Sequence, residues 1–467
     1  MAYDGNLPPP TFDLDTYASN YEGALLPHRL SHIATYCPSL TRHALTLAIA
    51  AASRGKDVQL YVRLHNTAER LGLADLSIPD MDWTARQEEA NRRELARLEG
   101  ELRGYKNNMI RESIRMGQDD LAAHQLNTGG PLPDPSDPQT LQAAGYNAAY
   151  QAYSKMRDYC TTPTHVASMT LRLVYTCLLQ AISSQQTGFS PTMNYNQAMS
   201  NAHRIKSVGV KEEEMARLLP IMNAALGIAH MGLANYSDAA GYFLTTHHSY
   251  ATLGDVHSTN FPRLVATGND IAIYGGLCAL ATMDREHLLN NVLGGSFRPF
   301  LELEPHMRKA ISLYTTAKYE ACLTTLRHYY ADWRCDVFLG PHVDRLLANI
   351  REKSIVAYFS SFSQVSLASL ASTFPPAVPA AQVPQAMEAE ALRMIETGSL
   401  HARLDVVNGL LIAPQREARG ATHGDAKLAA EEVERTLLLR LHRVNVVMAG
   451  LEVPKGRWGV GAVQGFA

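Results

Sequence analysis

The sequence lacks an excess of charge of one sign, closely paired cysteines and hydrophobic runs long enough to cross a bilayer. Its 42 Lys and Arg nearly balance its 45 Asp and Glu, so no overall field would hold nucleic acid or an anionic membrane. The six cysteines form no C-x-x-C pair and Met1–Pro10 is polar, which together favour free thiols in a reducing compartment. The longest nearly apolar run, Ile271–Met283, is too short for a membrane span and predicts a core helix. We expect a soluble intracellular protein with neither nucleic acid nor membrane as partner.

The sequence also lacks the short motifs of common catalytic and metal sites. No G-x-x-x-x-G-K-[ST] phosphate loop, G-x-S-x-G elbow, H-E-x-x-H or H-x-H pattern occurs. His28 and His32 are four positions apart, but Arg29 stands where a catalytic Glu would be needed, so we interpret the two histidines as a surface pair and not as a zinc site. These absences predict a protein without enzymatic activity, cofactor or metal.

Helical patterns dominate what is present. The 467 residues are 46% hydrophobic, which is typical of a globular chain with a large core. Leu40–Ala52 predicts a helix, and Thr84–Gln125 predicts a long charged helix or a helix pair. Breaks rich in proline follow at Thr128–Pro138 and Pro375–Pro384.

A degenerate repeat occupies the region between these two breaks. A tyrosine is followed three positions later by a small residue and seven positions later by a third, mostly apolar one. A small residue one turn after an aromatic lets paired helices approach closely, as in tetratricopeptide-like repeats. The four occurrences are Tyr146/Ala149/Tyr153, Tyr195/Ala198/Ala202, Tyr236/Ala239/Phe243 and Tyr319/Cys322/Leu326.

Three helices and a hairpin follow the repeats. The helices are predicted at Pro341–Phe359, Ser366–Phe374 and Gln385–Glu396. Asn408–Gly409 then separates two apolar runs, which is a strong signal for a tight β-hairpin because both residues tolerate positive φ. This order predicts a winged helix.

Ala426–Leu451 predicts one terminal helix with a coiled-coil-like seam. Its apolar residues are spaced alternately four and three apart, which is typical of a helix that packs against a partner helix. The alternative is that the helix folds back on its own domain. The predicted partner-helix seam consists of Leu437, Leu441, Val444, Met448 and Leu451.

The predicted fold is therefore dominated by α-helices. It has a tetratricopeptide-like repeat arm, a winged helix with a small hairpin wing and a C-terminal helix. The predicted limits are 1–127 for an N-terminal helical region, 139–335 for the arm, 336–414 for the winged helix and 425–452 for the terminal helix.

Several stretches of the chain together resemble one protein family. They include YGGLCALATMDR from Tyr274 and FLELEP from Phe300, and they are similar to the subunit 1 family of the COP-9 signalosome, whose members are PCI-domain proteins. The resemblance covers most of Leu14–Ala413, although Pro375–Pro384 is longer and richer in proline than the family pattern. The matching stretches are Leu14–Leu40, Tyr105–Leu126, Tyr153–Val166, Asn269–Leu323 and Asp336–Phe374.

The resemblance implies a non-catalytic scaffold subunit of a complex that removes Nedd8 from cullins and so regulates cullin–RING ubiquitin ligases. It implies that the zinc isopeptidase is a different subunit, and that this chain needs no cofactor. The implied partners are other signalosome subunits, bound through winged-helix edges and the C-terminal helix, with cullin–RING ligases as a further partner. The implied location is the nucleus and the cytoplasm.

Three alternatives stay open at this point. The nearest is the related PCI subunit of the proteasome regulatory-particle lid, non-ATPase subunit 7, which has the same architecture. Winged helices also bind DNA through their third helix, but here that helix offers Glu388, Glu390 and Glu396 against Arg393, and carboxylates repel phosphate. An enzyme with an unrecognised site is the third.

Overall fold

The computed structural model describes residues 8–130, 145–376, 382–414 and 418–450. Within these ranges the chain forms 22 α-helices and three short strands. The helix-dominated fold with a repeat arm and a winged helix is confirmed. The predicted domain limits stay predictions, and residues 131–144, at the predicted boundary between the first region and the arm, lie outside the described ranges.

The N-terminal region is a small helical bundle followed by a helical hairpin. Helices α1 to α4 share a core of their own, to which Cys335 from the far end of the arm also belongs. The predicted long charged segment is a helix pair, because the chain turns at Met109 with a positive φ of 54°. The bounds are α1 Leu14–Ser19, α2 Leu25–Tyr36, α3 Thr41–Arg54, α4 Val58–Arg70, α5 Met81–Asn107 and α6 Arg111–Asn127.

The arm is a row of helices in which each packs mainly on its neighbours in the sequence. Such nearest-neighbour packing is typical of helical repeats. The bounds are α7 Tyr146–Met156, α8 Pro163–Gln186, α9 Thr192–Arg204, α10 Glu212–Gly232, α11 Tyr236–Leu244, α12 Phe261–Leu264, α13 Gly268–Thr282, α14 Arg285–His287 with a π-helical continuation Leu288–Leu293, α15 Arg298–Leu303, α16 Pro305–Thr315, α17 Tyr319–His328 and α18 Tyr330–Arg334. Five 3₁₀ turns lie at Ala74–Leu76, Arg157–Tyr159, Ile205–Ser207, His248–Thr252 and Gly340–His342.

The tyrosine repeat marks the inward faces of α7, α9, α11 and α17. All twelve residues of the four occurrences are buried. Glycines on the facing helix make the close approach possible: a Cβ on Gly232 would lie 2.4 Å from the ring of Tyr195, and one on Gly227 would lie 2.5 Å from the ring of Phe243. The repeat therefore reports on helix packing, as its spacing predicts.

One described helix, α8, is long and apolar enough to cross a membrane by length and composition. However, 78% of its most apolar window is buried among other helices, which is typical of a core helix in a helical protein. The predicted core helix at Ile271–Met283 is α13, and its apolar side chains lie in the same core. All six cysteines are free, and five of them are buried.

The winged helix follows the arm without a break in the core. Its three predicted helices are confirmed as α19 Val343–Phe359, α20 Leu367–Thr373 and α21 Val383–Glu396, and its hairpin is β2 Arg403–Asp405 with β3 Leu410–Ile412. A strand that the sequence analysis did not predict, β1 Gln364–Ser366, pairs antiparallel with β3 and gives the sheet order β1-β3-β2. The terminal helix is α22, Ala418–Met448.

Candidate partner-binding surfaces

The terminal helix α22 presents large apolar side chains to solvent. Leu441 is 61% exposed and Met448 is 81% exposed, although burying such a side chain contributes about 1.5–3 kcal/mol. Leu437 and Val444 are also more than half exposed, and Leu451 lies outside the described residues. Within the described part of the chain, these seam residues are therefore mostly exposed, and their role in binding a partner helix stays a prediction.

Apolar side chains outside the seam also line α22. Leu439 is 63% exposed and Leu428 is 66% exposed, and at 100° per residue both project from the side opposite Leu437. A helix that is apolar on more than one side is typical of one that is buried on more than one side. The sequence analysis missed this second side because it followed only the four-three spacing. The exposed apolar residues of α22 are Leu428, Val433, Leu437, Leu438, Leu439, Leu441, Val444, Val447 and Met448.

The winged-helix sheet offers two edges. The central strand β3 pairs on both sides, so β1 and β2 each have one side that pairs with no strand among the described residues. An unpaired edge presents backbone N–H and C=O groups that another chain can bind. Val365 opposes Leu411 across the first ladder, and both are buried, which holds the edge strand β1 against the core.

The wing turn differs from the predicted two-residue turn. Residues Val406, Val407, Asn408 and Gly409 all lie between the paired ends Asp405 and Leu410. The Asp405 carboxylate accepts hydrogen bonds from the backbone N–H of Val407 and Asn408 at 3.1 and 3.2 Å, and from the Asn408 side chain at 2.8 Å. These bonds lower the pKa of Asp405, and the bond from the Asn408 side chain has the largest effect. The hairpin is confirmed, but its turn is longer because the aspartate caps it.

The third helix of the winged helix does not present all its carboxylates outward. Glu390 pairs at 2.7 Å with Arg351, which is buried within the domain, and Arg393 pairs with Glu352 at 2.5 Å. The expectation that Glu390 lies on an outer face is wrong, because a buried arginine on α19 requires a counter-ion. The one arginine of α21 is also neutralised, so this helix has little to attract phosphate.

A buried polar cluster fastens the N-terminal bundle to the junction of arm and winged helix. Arg29 of α2 is fully buried. Its guanidinium donates to Asp336 Oδ2 at 2.8 Å, to Tyr17 Oη at 3.0 Å and to the Val265 carbonyl, and it lies 4.1 Å from the centre of the Tyr21 ring. One side chain therefore joins segments that are more than 200 positions apart in sequence.

Both carboxylates of this cluster are held by several donors. Asp336 also accepts from Tyr274 Oη at 2.8 Å and from the backbone N–H of Phe338 and Leu339 at 2.9 and 2.7 Å. Asp270 accepts from Tyr21 Oη at 2.6 Å, and burial raises the pKa of Asp270. The cluster positions the surfaces described above, since it ties α2 and α13 to the first residues of the winged-helix region.

The two histidines beside Arg29 are not a surface pair, contrary to expectation. His28 is fully buried and bonds Gln186 at 2.6 Å and Tyr146 at 3.2 Å, and His32 bonds the Arg334 carbonyl at 3.2 Å. Burial lowers the pKa of each to about 4. The reason is that α2, a helix of the N-terminal bundle, packs its other face against the arm. No group of three His, Cys, Asp or Glu that could hold a metal ion occurs in the part of the chain that the structure describes.

Two families match parts of the chain. The family described as "PCI domain" matches residues 326–415, which is the winged helix with the last helices of the arm. The family described as "26S proteasome subunit RPN7" matches residues 141–291 of the arm.

Relatives match over nearly the whole length. A protein of Emericella nidulans named COP9 signalosome complex subunit 1 is 38% identical, and the match covers 95% of this chain and 84% of the relative. The chain belongs to the COP9 signalosome complex subunit 1 family. Relatives of the same name from Arabidopsis thaliana and, as subunit 1b, from Drosophila melanogaster are 30% and 28% identical. The matches cover 93% and 95% of this chain, and 90% and 87% of those relatives.

Membership of the COP9 signalosome complex subunit 1 family confirms the resemblance seen in the sequence. The RPN7 match covers the helical-repeat part of the arm only, whereas the signalosome relatives also align with the N-terminal bundle and the winged helix. The lid-subunit alternative is therefore the weaker of the two.

Proposed function

We propose that this chain is a non-catalytic scaffold subunit of a COP9 signalosome. The observation that carries the proposal is the terminal helix, whose large apolar side chains are mostly more than half exposed beside the other described residues. Family membership supports it, because the relatives are named as subunits of that complex. A scaffold gains stability from apolar surface that only its partners bury.

The proposed partners are other signalosome subunits. They bind along the unpaired edges of the winged-helix sheet and around α22. The assembled complex removes Nedd8 from cullins through a zinc isopeptidase on another subunit, and so regulates cullin–RING ligases, which are a further partner. The complex works in the nucleus and the cytoplasm.

Native mass spectrometry of the tagged chain, purified from its own host, tests the assembly. The variant Leu441→Asp with Met448→Asp places two charges in the seam, and a buried unpaired charge costs several kcal/mol. We expect this variant to lose partner subunits that the unaltered chain retains. A fully assembled complex at low concentration would contradict the role of the seam.

A matched control is available on the same helix. Thr436 and Arg443 are seven positions apart, as Leu441 and Met448 are, but they are polar and do not belong to the seam. Thr436→Asp with Arg443→Asp introduces at least as much negative charge, and we expect it to assemble. Loss of partners from both variants would mean that charge on the helix, and not the seam, governs assembly.

The absence of catalysis is tested with the isolated chain and a neddylated cullin. We expect no release of Nedd8 unless the zinc-bearing subunit is added. Release by the isolated chain, unaffected by a zinc chelator, would overturn the non-catalytic assignment.

A second candidate function is a lid subunit of the proteasome regulatory particle, which the RPN7 match over residues 141–291 favours. The same purification separates the two. Proteasome ATPases that co-purify in the absence of a deneddylase would support the lid and reject the signalosome.

A further inference from the structure

A cleft lies where the N-terminal bundle meets the arm. Its walls are α2, α4 and the C-terminal end of α8, and Val337 contributes to its floor. The cavity has a volume of about 380 Å³, which is the size range of small-molecule sites. The walls come from distant parts of the sequence, so only the folded chain forms this cleft.

Two arginines of α4 line the cleft. Arg63 and Arg70 are seven positions apart, so they lie on the same face of the helix two turns apart. Among the described residues that line the cavity there is no Asp or Glu. The Nε of Arg63 is buried and has no hydrogen-bond partner among the described residues, and the Gln185 amide adds a neutral donor to the lining. An unpaired guanidinium donor in a concave site without carboxylates favours an anionic ligand.

Nearby groups oppose this positive charge only in part. The positive charge of Arg63 lowers the pKa of Asp57, while burial of Asp57 raises it more. The Asp57 carboxylate already accepts hydrogen bonds from the Leu60 N–H at 2.8 Å and from Tyr146 Oη at 3.1 Å. The C-terminal end of α8 carries roughly half a negative charge. His32, with a pKa of about 4, is neutral at physiological pH. The two positive charges of Arg63 and Arg70 together exceed the negative charge of Asp57 and the partial negative charge at the end of α8.

We propose that the cleft between α2, α4 and α8 binds a small, soluble, phosphate-bearing anion. The planar guanidinium of Arg63 matches two phosphate oxygens at once. Arg70 holds a second position at the rim, where its Nη2 already donates to Thr67 Oγ1 at 3.2 Å. The anion joins α4 of the bundle to α8 of the arm.

Calorimetric titration of the full chain with pyrophosphate tests this at constant ionic strength set with sodium chloride. We expect saturable binding, and a loss of affinity of about tenfold or more in Arg63→Met, which keeps the aliphatic volume but removes the charge-assisted hydrogen bonds to the anion. Arg70→Met, at an exposed position, should also weaken binding. It provides a second test if Arg63→Met lowers the stability of the fold.

Arg54→Met is the matched control, since Arg54 lies at the end of α3, is exposed and does not line the cleft. We expect its affinity to equal that of the unaltered chain. Equal affinities in all three variants, or no saturable binding by the unaltered chain, would overturn the proposal. So would tighter binding of a phosphoserine peptide than of pyrophosphate, because the ligand would then be a modified protein and not a small anion.

Discussion

Two apolar helices of this chain have opposite surroundings. Helix α13 in the arm lies within the core, and its large apolar side chains are buried except for Ile273, which is partly buried. Helix α22 is longer and carries more large apolar side chains, yet most of them are more than half exposed. The comparison teaches that apolar content predicts that a helix becomes buried, while the chain's own packing decides whether its cover is internal or comes from a partner.

The reason for the difference lies in what packs nearby. Gly275 and Gly276 of α13 let Phe297 and Met307 approach to contact distance, and the polar cluster at Arg29 holds further elements around that helix. No such neighbours reach α22 among the described residues. Substitutions in the covered region should therefore lower stability strongly, and substitutions in α22 weakly.

A large loss of stability is expected for Arg29→Met. It leaves the carboxylates of Asp336 and Asp270 without their buried cation, and breaking a buried ion pair costs about 3–5 kcal/mol. Urea unfolding should show this loss of unfolding free energy. Arg263→Met is the control, since Arg263 pairs with Glu22 near the same junction but is half exposed, and it should cost less than about 1 kcal/mol. Equal losses in the two variants would show that the buried cluster adds no special stability.

The next effect is a loss of stability in acid. Burial lowers the pKa of His28 and of His32 from 6.5 to about 4, so the unfolded chain binds more protons than the folded one between these values. Their contribution is complete above pH 6.5 and is lost as the pH falls towards 4, by about 3 kcal/mol for each histidine. Asp57 and Asp270, whose pKa values burial raises, oppose this loss in the lower part of the window.

Unfolding measured from pH 7 to 4.5 checks the acid effect. His28→Gln should flatten the dependence of unfolding free energy on pH, whereas His43→Gln, at an exposed position, should leave it unchanged. A dependence that His28→Gln does not alter would mean that other groups control stability in this range.

A smaller effect is expected where paired helices touch. Gly227→Ala in α10 places a methyl group 2.5 Å from the Phe243 ring, and such overpacking costs about 1–3 kcal/mol. Gly241→Ala in the facing helix α11 meets nothing within 4 Å, so it should stabilise the helix by about 0.5–1 kcal/mol. Thermal unfolding of the two variants should therefore shift in opposite directions. Shifts in the same direction would contradict the close approach.

The smallest effect on the isolated chain is expected in α22. Leu441→Asp should change its unfolding free energy by less than about 0.5 kcal/mol, because Leu441 is 61% exposed. Leu277→Asp in α13 is the contrast, since Leu277 is fully buried and an unpaired charge there should prevent folding. A large loss from Leu441→Asp would indicate that α22 folds back on its own domain.

Much of the fold could be predicted from local patterns. The helices of the winged helix, the hairpin and the buried tyrosine repeat follow from periodicity and from Asn408–Gly409, which act over a few residues. Strand β1 was missed because three residues carry almost no periodic signal. The wing turn was predicted too short, since the capping by Asp405 depends on the turn that it stabilises.

The candidate surfaces were predictable only in part. The seam of α22 has a recognisable spacing, and its described residues are exposed, but the second apolar side of that helix has no regular spacing to reveal it. The Arg29 cluster and the arginine cleft gave no signal in the sequence. Their members are far apart along the chain, up to 307 positions between Arg29 and Asp336.

The sequence by itself determined the helical class of the chain, its repeat arm, its winged helix and its family, because these rest on short-range periodicity and on residue identity. Only the tertiary structure decided that His28, Arg29 and His32 are buried, that Glu390 faces inward and that α22 lacks cover. Burial depends on neighbours that the fold brings together from distant parts of the chain. The local sequence around a charged or apolar residue is the same whether those neighbours are present or absent.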